Sequence, residues 1–389
     1  MIKTLKEVDI RGKRAILRCD FNVPLNEKGE IEDDFRIKQS IPTIKYLLKN
    51  RAKVIIISHL GDPNGEVIER LRLNSVAKLL NQYLEMPIEK ASDCVGKEVE
   101  EKISKLRDSE ILILENLRFH IEEQNNDERF SKKLAEYGDF YINDAFSVCH
   151  REHASIVGLP KYLPAVAGLL LEKEFKVLSR VIENPWRPLV VIIGGAKIID
   201  KLKLVKQFVE KADHVLVGGK IANAILRVKG ICLGLPWPEE DIVKEVEGLK
   251  LTSTKLHLPV DALMSPNDRG DVYVREAAPG KLRNDELLLD IGSETIKFFT
   301  EIIKDAKMII WAGPLGFTPN PLFENGTKNI AEAIARNHKA YKIAGGGDTI
   351  LALSKFNLIK KFDHISTGGG AMLSFLSGKK LPGIEVLKR

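Results

Sequence analysis

Clusters of glycine follow short apolar runs in the second half of the chain, and helix-compatible residues follow the glycines. Each apolar run has the length and composition of a buried strand. The glycine-bearing turns are Gly194-Gly195-Ala196-Lys197, Gly218-Gly219-Lys220, Ala312-Gly313-Pro314, Gly345-Gly346-Gly347-Asp348 and Gly368-Gly369-Gly370. Bare backbone amides at a helix N-terminus bind phosphate well. One such turn is explained by tight packing alone, but several at one sheet edge favour a nucleotide site.

Two lysines lie at the start of the helix that follows the first glycine turn. Lys197 and Lys201 are four residues apart, which places both ammonium groups on one helical face near the N-terminus. Such a pair is ordinarily a solvated surface, but after a strand–Gly-Gly turn a phosphate-binding role is equally supported. The chain has neither a GxxxxGK[ST] P-loop nor a GxGxxG fingerprint. Their absence argues against a P-loop NTPase and against an ordinary NAD-dependent dehydrogenase.

Charged and imidazole side chains, rather than glycines, characterise the predicted strand ends of the first half. The candidates are Arg18, Arg36, His59, Arg118, His150, Arg151 and His153. Brought to one edge, they form a basic pocket for a small anionic metabolite, because arginine forks match carboxylate and phosphate. Asp20 and Asn22 would read hydroxyl groups beside it. We find no nucleophile–base pair, and phosphoryl transfer fits because positioning and charge neutralisation supply most of its catalysis.

The elements that must position these residues alternate between short apolar strands and helices. Strands are predicted at residues 15–19, 54–57, 111–114, 140–142, 190–193, 215–217, 308–311, 342–344 and 364–367. Helical patterns lie between them, for example at 71–84 and 130–137. This alternation predicts an α/β fold with two doubly wound, Rossmann-like domains, each built on a parallel sheet. Ligands of such sheets bind beyond the carboxyl ends of the strands.

A chain of 389 residues favours two domains. A helical pattern at about 169–183 ends at Asn184-Pro185-Trp186-Arg187-Pro188, because proline cannot continue a helix. We therefore predict an N-terminal domain at 1–170, an interdomain helix and hinge at 171–188, and a C-terminal domain at 189–378, followed by a tail at 379–389. Chemistry between the two domains requires closure about the hinge.

Composition excludes several classes of protein. The formal charge of +6 comes without a basic tail or an aromatic-interleaved patch, so nucleic acid is not an expected partner. The four cysteines are scattered without a CxxC pair, which indicates a reducing compartment and no zinc or disulfide framework. No secretory signal and no apolar run of membrane-spanning length is visible. We expect a cytoplasmic protein with no membrane partner.

A series of motifs makes the comparison with a known family specific. They are Asp20-Phe21-Asn22-Val23-Pro24-Leu25, Asp33-Asp34-Phe35-Arg36-Ile37, Ser58-His59-Leu60-Gly61, Glu115-Asn116-Leu117-Arg118-Phe119, Asn143-Asp144-Ala145-Phe146, His150-Arg151-Glu152-His153-Ala154-Ser155, Gly194-Gly195-Ala196-Lys197 with Asp200-Lys201, Gly345-Gly346-Gly347-Asp348 and Ser366-Thr367-Gly368-Gly369-Gly370-Ala371. In this order they resemble phosphoglycerate kinase over essentially the whole chain. The resemblance implies a monomer whose tail folds back onto the N-terminal domain.

The resemblance implies reversible phosphoryl transfer from 1,3-bisphosphoglycerate to ADP, giving 3-phosphoglycerate and MgATP in glycolysis or gluconeogenesis. It implies Arg36 and Lys197 as catalytic residues. The residues it implies for phosphoglycerate binding are Asp20, Phe21, Asn22, Arg36, His59, Asp62, Arg118 and Arg151. Those implied for the nucleotide are Lys201, Gly292, Gly346, Gly347, Asp348 and Thr349, with Asp348 reaching Mg²⁺. No general base is needed, because the acceptor carboxylate is already ionised.

Four positions depart from the family pattern. Asp62 stands where an arginine is usual, and a carboxylate about 4 Å from a substrate phosphate costs roughly 4 kcal/mol at an effective dielectric constant near 20. Ala312 replaces an asparagine, and Ser147 replaces a glycine. Pro319 replaces a glutamate that grips the ribose, a loss of about 1–3 kcal/mol. These departures keep open the alternative of a catalytically weakened homologue that binds nucleotide or phosphoglycerate as a regulatory protein.

Overall fold

The computed structural model describes residues 1–232, 238–250 and 252–388. The chain forms two compact units. The first consists of Met1–Lys176 with Lys380–Arg389, and the second of Val177–Lys379. Within the described residues, no helix is both long enough and apolar enough to cross a membrane.

The first unit is built on a six-stranded sheet. Its strands are β1 Arg14–Arg18, β2 Lys53–Ile57, β3 Glu89–Lys90, β4 Ile111–Ile113, β5 Phe140–Asn143 and β6 Ala165–Ala167. They lie in the order β3-β4-β2-β1-β5-β6, and all neighbours run parallel. Successive residues of β1 enter different cores, since Leu17 packs on one face of the sheet and Ile16 on the other. The sheet is therefore covered on both faces, as predicted for a doubly wound unit.

Helices flank this sheet. Those of the first unit are α1 Phe35–Lys49, α2 Asn74–Leu84, α3 Lys97–Lys105, α4 Ile121–Gln124 and α5 Glu128–Ala135; α6, Leu169–Glu183, continues from this unit into the second. The C-terminal segment contributes the short α14, Pro382–Glu385. Its Gly383 amide donates to the Cys149 carbonyl at 2.9 Å, and the Lys3 amide donates to the Leu387 carbonyl at 2.9 Å. Leu381 and Ile384 are buried there.

The second unit repeats the layout with a second six-stranded parallel sheet. Its strands are β7 Leu189–Ile193, β8 His214–Val217, β9 Leu256–His257, β13 Met308–Ala312, β14 Tyr341–Gly345 and β15 His364–Ser366. Their order is β15-β14-β13-β7-β8-β9. The helices are α7 Ile198–Lys211, α8 Gly219–Val228, α9 Glu240–Glu247, α10 Ser293–Asp305, α11 Asn325–Arg336, α12 Gly347–Lys355 and α13 Gly370–Leu376. The α/β prediction with two parallel sheets is confirmed.

A small antiparallel sheet interrupts the second unit, and the sequence did not predict it. Its strands are β10 Ala262–Ser265, β11 Arg275–Ala277 and β12 Leu287–Ile291, in the order β11-β10-β12. Every residue of β11 is at least partly exposed, so it lacks the apolar run of a fully buried strand.

Most predicted elements lie within a few residues of the observed ones. The helix predicted at 169–183 coincides with α6, and the predicted strand 54–57 with all but the first residue of β2. The helix predicted from residue 71 begins at Asn74, because Glu69–Leu71 forms a separate 3₁₀ turn. The predicted segments 1–170, 171–188, 189–378 and 379–389 stay a prediction, because compactness alone does not show which segments move together.

One buried side chain ties together the turns that follow β2 and β4. Asn116 is fully buried, accepts from the Leu60 amide at 3.2 Å and donates to the Leu60 carbonyl at 2.7 Å. It also donates to the Leu71 carbonyl at 3.1 Å and accepts from the Arg118 amide at 3.1 Å. Buried backbone groups that lose their partners cost stability. Asn116 therefore holds the backbone on both sides of the carboxyl edge of this sheet.

We predict that Asn116→Ala lowers the free energy of unfolding by about 2–4 kcal/mol, because several buried backbone groups lose their hydrogen-bond partner at once. Urea unfolding monitored by circular dichroism measures the change. The matched control is Asn81→Ala, at an exposed position in α2, where we expect a change within about 0.5 kcal/mol. Equal stability of the two variants would show that the Asn116 network contributes nothing.

Candidate active site

Side chains from three strand ends meet at the carboxyl edge of the first unit. Asp20, which follows β1, forms an ion pair with Arg36 of α1 at 2.6 Å and accepts a hydrogen bond from Ser147. The Asn22 side-chain oxygen accepts from the Gly61 amide at 2.8 Å. Ser147, a departure from the family pattern, thus supports the predicted carboxylate. The structure thus places Asp20, Asn22 and Arg36 at one edge, and their roles stay a prediction.

Arg118 reaches the same turn from the end of β4. Its Nη1 donates to the Gly61 carbonyl at 2.8 Å. Its Nε is buried and has no hydrogen-bond partner among the described residues. Burial lowers the pKa of this guanidinium, with the charges of Arg18 and Arg151 acting in the same direction. A buried cationic donor without a partner favours binding of an anion.

Two histidines of this edge, His59 and His153, lie in surroundings that disfavour their protonated form. Burial holds the pKa of His59 well below its usual value, and the charges of Arg18 and Arg118 lower it further. Burial likewise lowers the pKa of His153 to about 4, helped by Arg118. His59 Nδ1 lies 3.1 Å from Arg18 Nη2. The positive charge of the edge therefore comes from its arginines.

Two further predicted residues differ in their exposure. The Phe21 side chain is fully buried in the core, and its amide donates to Ser58 at 3.0 Å, so it packs behind the edge and does not face a ligand. Arg151 is exposed, and its charge acts on Arg118 and His153. The structure therefore supports Arg151, but not the side chain of Phe21, as a ligand-facing group.

Asp62 lies at the rim of the same edge. Its side chain is 64% exposed and accepts from Gln124 at 2.7 Å, with Arg118 Nη1 at 3.5 Å. An exposed ion pair of this kind contributes little stability. Because solvent screens the carboxylate, its effect on a bound anion is smaller than the roughly 4 kcal/mol expected for a half-buried pair.

The glycine turns of the second unit surround a cavity of about 390 Å³. Its lining residues are Gly195, Ala196, Gly219, Lys220, Asn223, Leu288, Leu289, Pro314, Gly316, Phe317, Thr318, Pro319, Asp348, Leu351, Ala352 and Lys355. Most of this lining is apolar, and its charged groups are two lysines and one carboxylate. A largely apolar cavity can hold a base, and charged groups and helix N-termini in its wall can bind phosphates. The cavity is therefore suited to a nucleotide.

Several residues that line the cavity, among them Leu351 and Lys355, were not predicted from the sequence. They share one face of α12 with the predicted Asp348, so that the helix presents a carboxylate, an apolar surface and an ammonium in turn. Lys355 is held by an ion pair with Glu324. Lys220 could have been found, because it directly follows a glycine turn. Leu288 belongs to the antiparallel sheet and carries no chemical signal in the sequence.

Lys201 is buried, although an exposed helical face was one of its predicted environments. It donates to the Gly194 carbonyl, and Gly313 leaves no room for a side chain beside its Nζ. Burial lowers its pKa to about 8; Asp348 raises this pKa, and Lys197 lowers it. Lys197 itself is exposed at the N-terminus of α7. The two lysines and Asp348 thus form one electrostatic group.

The glycines and the threonine predicted to contact the nucleotide differ in their surroundings. Gly346 begins α12 with a φ of +97°, and Gly347 is exposed with no neighbour within 4 Å of the place where a side chain would begin. Thr349 is buried and accepts from the Gly313 amide at 2.7 Å. Gly292 is not among the residues lining the cavity, because it packs against the Asp261 carboxylate, which caps α10.

Two departures from the family pattern lie in this unit. Pro319 lines the cavity and adds apolar surface where a ribose-binding carboxylate was expected. Ala312, the last residue of β13, is buried and offers only its backbone. Its carbonyl accepts from the Gly194 amide at 3.1 Å. Neither change disturbs the strand or the glycine turns around it.

The arginine-rich edge of one α/β unit and the phosphate-suited cavity of the other are the attributes of a phosphotransferase. A model of the family "Phosphoglycerate kinase" matches residues 5–379. The phosphoglycerate kinase of Dictyoglomus turgidum is 45% identical, covering 100% of this chain and 98% of that one. That of Pelotomaculum thermopropionicum is 42% identical over 99% and 98% of the two chains, respectively.

Solved structures agree. The phosphoglycerate kinase of Coxiella burnetii has a TM-score of 0.86 at 34% identity, covering 100% of this chain and 99% of that one. The enzyme of Pyrococcus horikoshii has a TM-score of 0.88 at 33% identity, covering 99% and 98%, respectively. This chain belongs to the phosphoglycerate kinase family. The prediction of a phosphotransferase with a carboxyl acceptor is confirmed, and neither the regulatory alternative nor a dehydrogenase has support.

We predict that Lys201 titrates at about pH 8, because burial disfavours its charged form. NMR of the free protein carrying ¹³C-labelled lysine measures this pKa, and Lys201→Arg assigns the resonance. Asp348→Asn should lower the pKa further, because it removes a charge that favours the ammonium. A pKa near 10.4 for Lys201 would contradict its burial.

Proposed function

We propose that this chain transfers a phosphoryl group reversibly between 1,3-bisphosphoglycerate and ADP, with 3-phosphoglycerate and ATP as the other pair. The observation that carries the residue-level proposal is the convergence of Arg36, Arg118 and Arg151 at one edge, beside His59 and His153, whose pKa values are lowered by burial. That edge holds excess positive charge in the free protein, as a site for an anionic metabolite requires.

In this proposal the first unit binds the phosphoglycerate. Arg118 and Arg151 bind its phosphate, and the unpartnered Arg118 Nε supplies one of the donors. Asp20 and Asn22 bind its hydroxyl and carboxyl ends. His59, buried and neutral, can donate or accept a hydrogen bond without adding charge. Phe21 positions Asp20 and Asn22 from the core.

The second unit binds the nucleotide. The base lies in the apolar cavity, between the chain around Phe317 and the face of α12. The phosphates lie at the glycine turns, where Lys201 and the amides of Gly346 and Gly347 neutralise and hydrogen-bond them. Thr349 contributes indirectly, because its hydroxyl oxygen accepts a hydrogen bond from the Gly313 amide and so fixes that turn. Gly292, which like Gly346 and Gly347 is not among the cavity-lining residues, stays a predicted nucleotide contact.

Asp348 fits a magnesium ion that arrives with the nucleotide. Its carboxylate is exposed on the cavity wall, beside the first turn of α12. Mg²⁺ in such sites takes one or two protein carboxylates and completes its shell with phosphate oxygens and water. The ion would neutralise charge on the nucleotide phosphates.

Arg36 and Lys197 stabilise the group in transfer. Both lie at the N-terminal end of a helix: Arg36, in the first turn of α1, is half-buried and paired with Asp20, and Lys197 is exposed at the start of α7. No proton need be removed from the acceptor carboxylate, which agrees with the absence of a general base from the predicted site. We further propose that closure about residues 171–188 brings the two substrates together in a monomer, without a nucleic-acid partner.

The test is ATP formation from ADP and enzymatically generated 1,3-bisphosphoglycerate with magnesium. We expect turnover in the wild type, and a loss of about 10²–10³-fold in kcat for Lys197→Ala, because one transition-state donor is removed. Arg36→Ala should be affected at least as strongly. Lys206→Ala, at an exposed position on the same helix as Lys197, is the control.

Near-normal turnover of Lys197→Ala would remove it from the catalytic set. Absence of turnover in a wild-type protein that still binds 3-phosphoglycerate would instead favour the regulatory homologue.

We predict that Asp62→Asn tightens binding of 3-phosphoglycerate by about 3- to 10-fold, because an exposed charge a few ångströms from an anion costs about 1 kcal/mol in water. Titration calorimetry measures the dissociation constant. Glu66→Gln, an exposed acid in the same loop, is the matched control and should have no effect. An unchanged affinity in Asp62→Asn would mean that Arg118 binds the anion without competition from Asp62.

A further inference from the structure

A carboxylate, a thiol and an imidazole meet in the first unit at a place that the kinase reaction does not use. Asp93 and Cys94 lie in the loop after β3, and His120 lies just before α4, in the segment that follows β4. One potential ligand atom from each of the three residues lies within 4.8 Å of the other two. Because β3 and β4 are parallel neighbours, the two loops leave the sheet side by side.

The three side chains are held in place by the surrounding structure. His120 stacks on Phe130 with ring centroids 5.1 Å apart, and its Nε2 lies 2.6 Å from Asp93 Oδ1. The same Asp93 oxygen accepts from the Cys94 amide at 2.6 Å. Cys94 is fully buried, and its Sγ donates to the Glu115 carbonyl at 2.9 Å. A metal would therefore find donors whose positions are already restricted.

The cluster is open on one side. The side chains of Asp93 and His120 are 50% and 23% exposed, whereas the sulfur lies at the floor. An ion can enter from solvent, and water can complete its coordination. Donors bound to tetrahedral zinc lie about 3.3–3.8 Å apart, given bonds of about 2.0–2.3 Å. All three ligand atoms already lie within 4.8 Å of one another, and rotation of the half-exposed Asp93 would widen its 2.6 Å contact with His120.

We propose that Asp93, Cys94 and His120 bind a divalent zinc ion, with water as the fourth ligand. Binding releases the Cys94 thiol proton, the proton between His120 and Asp93 passes to solvent or to the other ring nitrogen, and no oxidation or reduction occurs. The resulting thiolate, carboxylate and neutral imidazole balance the two positive charges of the ion to zero. The neighbouring charges also pair among themselves, because Glu115 forms ion pairs with both Lys90 and Arg72.

The donor set selects the kind of metal. Thiolate and imidazole prefer zinc and related transition metals, whereas Mg²⁺ takes oxygen ligands. The site is thus chemically distinct from the magnesium that accompanies the nucleotide. The competing description is an ordinary His120–Asp93 ion pair beside a buried thiol that binds no metal.

Cobalt absorption distinguishes the two descriptions. Chelator-stripped full-length protein is titrated with Co²⁺ in the presence of excess Mg²⁺ and a non-thiol reductant, without nucleotide. We expect a thiolate-to-cobalt charge-transfer band, bleached by stoichiometric Zn²⁺, together with release of the Cys94 thiol proton. Zn²⁺ should also raise the unfolding temperature.

The variants locate the site. Cys94→Ser should abolish the charge-transfer band while keeping a donor to the Glu115 carbonyl, and Asp93→Asn and His120→Gln should each weaken Zn²⁺ binding at least about 10-fold. Cys232→Ser is the matched control, because that buried Sγ also donates to a backbone carbonyl, at 3.4 Å. The His214–His257 pair, with ring nitrogens 2.9 Å apart, is a second potential ligand set, so His214→Asn is included.

The absence of a charge-transfer band in the wild type would overturn the proposal in favour of the ion pair. A band that survives in Cys94→Ser, or one lost in Cys232→Ser, would place the metal elsewhere. Loss of Zn²⁺ binding in His214→Asn alone would assign it to the histidine pair.

Discussion

The parallel direction of the strands in each unit is the constraint on which the rest of the structure depends. It gathers every carboxyl strand end at one edge of a sheet, so that residues far apart in sequence become neighbours there. It also leaves the backbone of each connecting turn without ladder partners. Buried polar side chains supply those partners, as Asn116 does for the turns that hold Leu60 and Arg118. The site therefore rests on side chains that never touch a ligand.

At the carboxyl edge of the first unit, the positive charges are not fully balanced by carboxylates. Arg36 has Asp20 as its partner, but Arg118 has only a carbonyl and a screened carboxylate. Burial holds the pKa of His59 well below its usual value, and the neighbouring arginines lower it further, so this imidazole adds no charge. In the second unit, burial likewise lowers the pKa of Lys201, to about 8. Each unit thus holds groups whose unfavourable environment an anion would relieve.

Whether an element could be predicted from the sequence depends on whether its burial leaves a recognisable pattern of apolar residues. Strands such as β2 and β7 are buried on both faces and read as uninterrupted apolar runs, so they were found within a residue or two. The antiparallel strand β11 was missed because its residues are at least partly exposed and form no apolar run, and its partners β10 and β12 were missed with it. Charged site residues such as Arg36 can be identified in the sequence because their side chains suit the binding of anions. Apolar residues such as Leu351 have no such distinguishing chemistry, and only the fold reveals that they line the cavity.

The replacement of a ribose-binding carboxylate by Pro319 shows how the cavity can compensate. A lost hydrogen bond to a charged group weakens binding by about 1.5–3 kcal/mol. Covering an additional 60–100 Å² of the base with apolar side chains such as Phe317 and Leu351 contributes about 1.5–2.5 kcal/mol. The two effects are of the same size, and both act on the nucleoside rather than on its phosphates. In the proposed site, lysines and backbone amides hold the phosphates, so a change in the ribose contact would shift nucleotide affinity without moving the group that is transferred.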